Sequence, residues 1–111
     1  MAHNKSEPLT ESYFYILLCL YRGPNHGYGI MQQTLELSDG HVRIGSGTMY
    51  GATGTMMKKG WIEDCPSDTG AFDRKRQYRL TDTGRQALLE EVARLRHLTR
   101  AADDVMGGIE S

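Results

Sequence analysis

The feature that most constrains this chain is a seam of apolar residues in its last quarter. The seam advances by four, three, three, four and three positions, and its members are Leu88, Val92, Leu95, Leu98, Ala102 and Val105. This spacing is typical of a helix that packs along one stripe against another helix. A chain of 111 residues buries only one modest core. We therefore predict a long helix over residues 82–106, capped by Thr81, that pairs with a second copy of the chain. Packing against helices of the same chain stays open as the alternative.

Two shorter helices are predicted before residue 40. Thr10 favours a helix N-terminus, and apolar residues recur at helical spacing from there to Tyr21. The Arg-Gly-Pro sequence at 22–24 ends this helix. A second helix is predicted over residues 26–37. Its expected buried face consists of Tyr28, Met31 and Leu35, with Ile30 beside them. The alternating residues 42–44 are compatible with a very short strand.

A third helix and a hairpin are predicted next. Ser46 is expected to cap the helix, which runs to about Lys59 and is followed by Gly60, a favourable residue just past a helix C-terminus. Its core residues are expected to be Met49, Ala52 and Met56. Strands are predicted over residues 61–65 and 74–80.

Three short helices, a two-stranded hairpin and a long helix follow the order of a winged helix-turn-helix domain. We predict an α+β fold that is mainly α, with three helices, a two-stranded β wing and a long C-terminal dimerisation helix. The predicted divisions are a mobile N-terminus at 1–8, a winged-helix DNA-binding domain at 9–81, the dimerisation helix at 82–106 and a tail at 107–111.

Charge is unevenly distributed along the chain. The net charge is −1, yet residues 41–80 hold seven basic and four acidic side chains, so the basic excess is local. A local basic patch on a nearly neutral chain is the pattern expected of a protein that meets phosphate on one face. An ordinary solvated hairpin explains the same charges equally well.

The third helix and the wing carry the predicted DNA contacts. In a winged helix-turn-helix the third helix enters the major groove, and the wing reaches a neighbouring groove or the backbone. Hydroxyls and N–H groups at a helix start are natural phosphate donors. The predicted DNA-binding residues are Ser46, Thr48, Tyr50, Thr53, Lys58, Arg74, Lys75 and Arg76. The expected partner is double-stranded DNA.

Four motifs carry a resemblance to a known family. Residues 23–30 read GPNHGYGI, residues 47–50 read GTMY, residues 59–62 read KGWI, and residues 78–85 read YRLTDTGR. They are similar to the GPxHGYxI, GTLY, EGLI and YRLTxxGR sequences of the PadR family of bacterial transcriptional regulators. The chain resembles that family over nearly all of residues 9–90, and in length it resembles the subfamily with a single C-terminal dimerisation helix. The resemblance implies a homodimer on a palindromic operator, usually a repressor relieved by a small molecule.

The third helix departs from the family pattern. Gly51 stands where the family usually has Pro, and residues 53–55 are Thr-Gly-Thr where a leucine and basic residues are common. The predicted base-reading surface is therefore small and uncharged. Phosphate contacts from Tyr50, Lys58, Lys59 and the wing are expected to carry most of the binding, which makes binding steeply salt-dependent.

The expected effector is a small hydrophobic molecule. Some relatives hold flat apolar drugs between aromatic side chains of the dimerisation helix, but residues 81–111 contain no Trp, Tyr or Phe. The aromatic side chains of an effector pocket would then come from the first helix, with Tyr13, Phe14 and Tyr15 as candidates and Tyr21 as a further one. At this spacing, however, such residues are more often core.

Other classes of function lack support in the sequence. The Gly-rich stretch at 45–50 fails the GxGxxG pattern at its last position, and the four histidines are scattered. Cys19 and Cys65 lack a CxxC or metal-ligand spacing. We therefore expect no enzyme activity, no cofactor and no metal site.

The expected location is the cytoplasm. No window approaches the about 20 apolar residues of a membrane span, and the N-terminus lacks a signal-peptide pattern. The main rival to a DNA-binding regulator is a winged-helix protein-interaction module that has lost specific DNA binding. The glycines and threonines of the third helix keep that alternative open.

Overall fold

The computed structural model describes residues 8–66 and 76–107. Within these ranges it contains four helices and three strands, which confirms the mainly helical winged-helix prediction. The elements are α1 (Glu11–Tyr21), β1 (Asn25–His26), α2 (Gly27–Leu37), α3 (Ser46–Lys58), β2 (Ile62–Cys65), β3 (Gln77–Leu80) and α4 (Asp82–Met106). Predictions for residues 1–7, 67–75 and 108–111 lie outside the described residues.

Helix α1 forms the centre of the core. The Thr10 hydroxyl accepts a hydrogen bond from the Tyr13 backbone N–H at 3.2 Å, which confirms the predicted cap. Three- and four-residue spacing then brings Ile16, Leu17 and Leu20 together, and each is at most 2 % exposed. The helix makes contacts with α2, β3 and α4, so the other elements are organised around it.

Helix α2 buries a different face from the one predicted. Ile30 and Thr34 are fully buried, whereas Tyr28 is 61 % exposed, so the assignment of Tyr28 to the core was wrong. Thr34 can be buried because its hydroxyl lies 3.7 Å from the Cys19 sulfur, which gives this polar atom a partner. Periodicity favoured the large Tyr28 side chain for the buried face of α2, whereas the structure buries the smaller Thr34.

Helix α3 begins one residue earlier than its predicted cap implied. Gly45 occupies the N-cap and Ser46 is the first helical residue, so the prediction of a Ser46 cap was wrong. The predicted core residues are confirmed, since Met49, Ala52 and Met56 are all at most 5 % exposed. Gly60 has a φ of 76°, the left-handed conformation expected just past a helix C-terminus.

The sheet has three strands instead of the predicted two. It is antiparallel with the order β1-β3-β2, because the two-residue β1 pairs with the start of β3. Strand β2 begins at Ile62, one residue after the predicted start, and β3 begins at Gln77. The extended backbone of His26, with φ −100° and ψ 168°, allows this extra pairing just before α2.

The segment between α2 and α3 forms no strand. Ile44 is nevertheless buried, with 4 % exposure. The Val42 backbone N–H donates to the Ser38 hydroxyl at 2.9 Å, so a side chain satisfies this donor in place of a neighbouring strand.

The first turn of α4 packs closely against Trp61, three residues beyond the end of α3. The Thr81 hydroxyl accepts from the Gly84 backbone N–H at 3.0 Å, which confirms the predicted cap. A side chain at Gly84 would collide with the backbone carbonyl of Trp61, so this position requires glycine. No helix in the described part of the chain is both long and apolar enough to cross a membrane.

Candidate nucleic-acid interface

The exposed face of α3 is lined by glycines. Gly47, Gly51 and Gly54 follow one another at steps of four and three, which places them on one side of the helix, opposite the buried Met49, Ala52 and Met56. A Cβ built at any of the three glycines meets nothing within 4 Å. We call these three residues the glycine ridge. Along it the α3 backbone itself is open to contact from outside.

Polar groups border the start of the glycine ridge. Ser46 and Thr48 are exposed, and the Tyr50 side chain is 77 % exposed. Gly45 supplies no capping side chain, so no side chain accepts from the backbone N–H groups of the first turn. Such N–H groups together with nearby hydroxyls suit a phosphate oxygen. Lys58 lies exposed at the opposite end of α3.

Thr53 does not belong to this face. It is only 3 % exposed, and its hydroxyl donates to the Tyr50 backbone carbonyl at 3.1 Å. The prediction that Thr53 contacts DNA is therefore corrected: its position on the helix turns it towards the core, and its polar atom is satisfied within α3.

The start of α2 adds an exposed tyrosine that the sequence analysis had placed in the core. The Tyr28 hydroxyl accepts from the Gln32 side-chain amide at 3.0 Å, and both residues are exposed. A Cβ built at Gly27 would lie 3.7 Å from the Met49 side chain, so the first turns of α2 and α3 are in contact. The exposed Tyr28 therefore directly follows a residue that packs against the first turn of α3.

His26 has a structural role in this region. Its Nδ1 accepts from the Gly29 backbone N–H at 3.2 Å, which makes it the N-cap of α2. His26, part of the GPNHGYGI motif, therefore fixes the start of α2. Tyr28 differs, since it lies off the buried face of α2, and no signal in the sequence marks it as exposed.

Two arginines, one in β3 and one just before it, are paired with carboxylates of β2. Arg79 Nε lies 2.7 Å from Glu63 Oε2, its direct neighbour across β2 and β3, and Arg76 Nε lies 3.3 Å from Asp64 Oδ1. The Glu63 carboxylate raises the pKa of the Arg79 guanidinium. All four side chains are at least half exposed, so these pairs are weak. Arg74 and Lys75 lie outside the described residues.

The predicted dimerisation seam is divided by the structure. Leu88 is 2 % exposed in the core of its own chain, and Val92 packs partly against that core. Leu95 and Ala102 are half-buried, while Leu98 and Val105 are 50 % and 86 % exposed. Leu88 is therefore unavailable to a partner, and the part of the seam that remains uncovered begins beyond Val92.

The candidate aromatic pocket residues are not brought together as one group. Phe14 and Tyr15 are half-buried and meet edge to face, with ring centroids 5.9 Å apart. Tyr13 lines a separate cleft of about 420 Å³ beside Trp61, a residue that the sequence analysis did not assign to any pocket. The cleft is lined by Pro8, Leu9, Thr10, Tyr13, Lys59, Trp61 and Ala87.

Three linked helices, an adjoining small sheet and an exposed third-helix face define a winged helix-turn-helix domain. Residues 16–90 match the model of the transcriptional regulator PadR-like family, and the chain therefore belongs to that family. The match confirms the family resemblance carried by the four sequence motifs. No curated protein matches the chain.

Solved structures give the same fold. A PadR family transcription regulator from Clostridium difficile aligns with a TM-score of 0.74 at 22 % identity, covering 87 % of this chain and 99 % of the other. A transcriptional regulator from Clostridium thermocellum aligns with a TM-score of 0.72 at 22 % identity, covering 84 % and 87 %. Bacillus subtilis PadR, solved in complex with operator DNA, aligns with a TM-score of 0.63 at 25 % identity, covering 72 % of this chain and 45 % of that one.

Proposed function

We propose that this chain is a cytoplasmic transcriptional repressor that binds a palindromic operator as a homodimer. The observation that carries the proposal is the exposed glycine ridge of α3, which lies opposite the core and beside Tyr50, in a family whose Bacillus subtilis member was solved with operator DNA. Family membership also supports relief of repression by a small molecule.

The glycine ridge defines how α3 meets DNA. Without side chains, the helix backbone can approach the base edges more closely than in a helix covered by long side chains. Ser46, Thr48 and Tyr50 border this surface and supply hydroxyls for phosphate oxygens. Sequence would then be read mainly through groove shape and apolar contact, with few direct hydrogen bonds to bases.

The uncovered part of α4 supports the homodimer. Leu98, Val105 and Met106 are 50 %, 86 % and 66 % exposed, and all three lie in the last nine residues of this helix. A second copy of the same helix would cover them, and Leu95 and Ala102 would lie in the same interface. A twofold axis through this helix pair would present two α3 helices to two half-sites, which accounts for a palindromic operator.

Substitution within the glycine ridge tests DNA binding. Gly51→Gln places a side chain into open space, so it should leave the fold intact and favour the helix by up to about 1 kcal/mol. If the ridge lies against DNA, the same side chain blocks the approach, and affinity for the chain's own upstream DNA should fall at least about tenfold. Fluorescence anisotropy with labelled DNA at two salt concentrations measures both affinity and its salt slope.

Ala93→Gln is the matched control because it adds the same side chain at an exposed position of α4. It should leave DNA affinity unchanged. If Gly51→Gln binds DNA with the same affinity as the parent protein, the glycine ridge does not contact DNA.

The protein-interaction alternative is favoured by one specific observation, the pairing of Arg76 and Arg79 with carboxylates. These pairs reduce the positive charge that the described part of the wing offers to phosphate. If the parent protein retains no upstream fragment even at low salt, the interaction module replaces the regulator as the function of this domain.

A further inference from the structure

We propose that His26 is a proton-sensitive cap. When its imidazole takes up a proton in mildly acidic conditions, the first turn of α2 is released and the contact between α2 and α3 is weakened. The release of α2 does not depend on DNA. Its effect on operator binding rests on the proposed function.

The hydrogen bond of the cap requires a neutral imidazole. His26 Nδ1 accepts from the Gly29 backbone N–H at 3.2 Å, so the proton of the neutral ring is on Nε2. An imidazolium has an N–H on both ring nitrogens and cannot accept a hydrogen bond. Protonation would therefore place two N–H groups opposite each other. It would also add a positive charge at a helix N-terminus, where the helix dipole disfavours it.

The surroundings of His26 offer no compensation for that charge. Strand β1 packs on β3 and α2. The uncharged Gln77 pairs directly with His26, and neither β3 nor the first turn of α2 contains a carboxylate. The nearest charged residue along the chain is Arg22, a cation. Among the described residues of these elements, none is therefore placed to form an ion pair with a protonated His26.

The other ionisable groups of β3 and α2 keep their charge in mild acid. These groups are Tyr28, Glu36, Tyr78 and Arg79, with Arg76 just before β3. Tyrosine hydroxyls titrate near about pH 10 and carboxylates near about pH 4, whereas imidazoles titrate between about pH 5 and 8. The two arginines are ion-paired with β2, which lies on the far side of β3 from β1. A response to mild acid in this part of the molecule is thus specific to histidine.

The capped turn joins three parts of the domain. Strand β1 connects it to β3 of the sheet. A Cβ at Gly29 would collide with the Asn25 side chain, so β1 lies directly on the first turn of α2. A Cβ at Gly27 would lie 3.7 Å from the Met49 side chain of α3. Fraying of the first turn of α2 would therefore disturb both the sheet and the start of α3.

His41 provides a matched control, because its hydrogen bond survives protonation. His41 Nδ1 lies 2.9 Å from the Ser38 backbone carbonyl, which can only accept, so Nδ1 is the donor. The imidazolium keeps that N–H. Protonation of His41 therefore leaves its contact intact, whereas protonation of His26 breaks one.

Urea denaturation at about pH 7.5 and about pH 5.5 tests the cap without DNA. His26→Ser keeps a side-chain acceptor at the N-cap that does not titrate, and His26→Thr is a second variant of the same kind. Because the folded state disfavours the proton on His26, the ratio of folded to unfolded parent protein should fall about fivefold relative to His26→Ser on acidification. His41→Asn should show the same pH course as the parent.

The Gly29 amide gives a direct readout of the cap. In protein labelled with nitrogen-15, its resonance should shift as the pH falls through the range in which imidazoles titrate. The same resonance should stay fixed in His26→Ser. A loss of stability that arises elsewhere in the molecule would not produce this difference.

Fluorescence anisotropy with labelled upstream DNA tests the link to operator binding. The affinity of the parent should fall about fivefold relative to His26→Ser between the two pH values, because the fraction of protein with an intact α2 falls. A gain in affinity of the parent relative to His26→Ser would mean that the imidazolium contacts phosphate, and would contradict the link.

The proposal is overturned if the parent and both His26 variants lose stability in parallel on acidification, or if His41→Asn removes the pH dependence. Equal DNA affinities of the parent and His26→Ser at the lower pH would overturn the link to operator binding. If the parent retains no DNA at either pH, the regulator proposal fails, while the stability and resonance measurements still decide whether the cap is proton-sensitive.

Discussion

The two halves of α4 have the same apolar spacing and different surroundings. In the first half, Leu88 is 2 % exposed and Glu91 is 5 % exposed, because α1 covers this part of the helix. In the second half, Leu98 and Val105 are 50 % and 86 % exposed. Periodicity thus identifies the stripe that packs, but it does not say whether the covering surface belongs to the same chain. The predictions below concern three residues of α4. Two of them, Leu88 and Glu91, stabilise the protomer, and the third, Leu98, is proposed to join two protomers.

The largest effect on the stability of the protomer is expected at Leu88. Leu88→Ala leaves a cavity among fully packed neighbours and should lower the free energy of unfolding by about 2–5 kcal/mol. Urea denaturation followed by circular dichroism measures this loss. If Leu88→Ala instead abolished dimerisation with unchanged protomer stability, the proposed division of the helix at Val92 would be incorrect.

A smaller effect is expected at Glu91, the buried carboxylate of the first half. Its two oxygens accept from Arg94 at 2.8 and 2.7 Å, and the hydrogen bond from the Leu9 backbone ties the segment before α1 to α4. Glu91→Gln keeps the shape but removes the charge, and should cost about 1.5–3 kcal/mol of unfolding free energy at pH 7.

The same variant has a pH signature. The hydrogen bonds from Arg94 lower the pKa of Glu91 below its ordinary value of about 4.3. A lowered pKa in the folded state means that the contribution is complete above pH 4.3 or so and is lost as pH falls through the folded-state pKa. The stability difference between parent and Glu91→Gln should therefore be constant near neutral pH and shrink in acid. A difference that grows on acidification would contradict this assignment.

The smallest effect on the protomer is expected at Leu98. Leu98→Asp replaces a half-exposed residue in the second half, so helical content by circular dichroism should be nearly unchanged. The oligomeric state should change instead, from dimer to monomer in sedimentation at micromolar concentration, because the charge would be buried in the proposed interface. An exposed control on the first half, Leu89→Asp, should leave the dimer intact.

Local signals were sufficient for much of the fold. Thr10 and Thr81 cap their helices through their own hydroxyls, and Gly60 follows α3 with a positive φ, all within a few residues of the sequence that specifies them. The family motifs gave the arrangement of these elements. Such features depend on short-range chemistry, which a single sequence contains.

The errors concern choices between neighbouring faces. Tyr28 and Thr34 are both compatible with a buried stripe on α2, and only contact with Cys19 decides for Thr34. Thr53 is polar and was therefore placed on the DNA face, but its hydroxyl is satisfied by the Tyr50 carbonyl. Trp61 was assigned to a strand, and its cleft exists only because residues distant in sequence meet there. None of these choices is determined by periodicity.

The hydrogen bond between Leu9 and Glu91 also has a consequence for synthesis of the protein. It joins residues 82 positions apart, and α1, the centre of the core, has contacts with both β3 and α4. During translation α1 emerges before α2, β3 and α4, and α2 can cover part of its apolar face early. The side of α1 that packs on α4 is covered last, so folding of this domain is completed only when its last helix has left the ribosome.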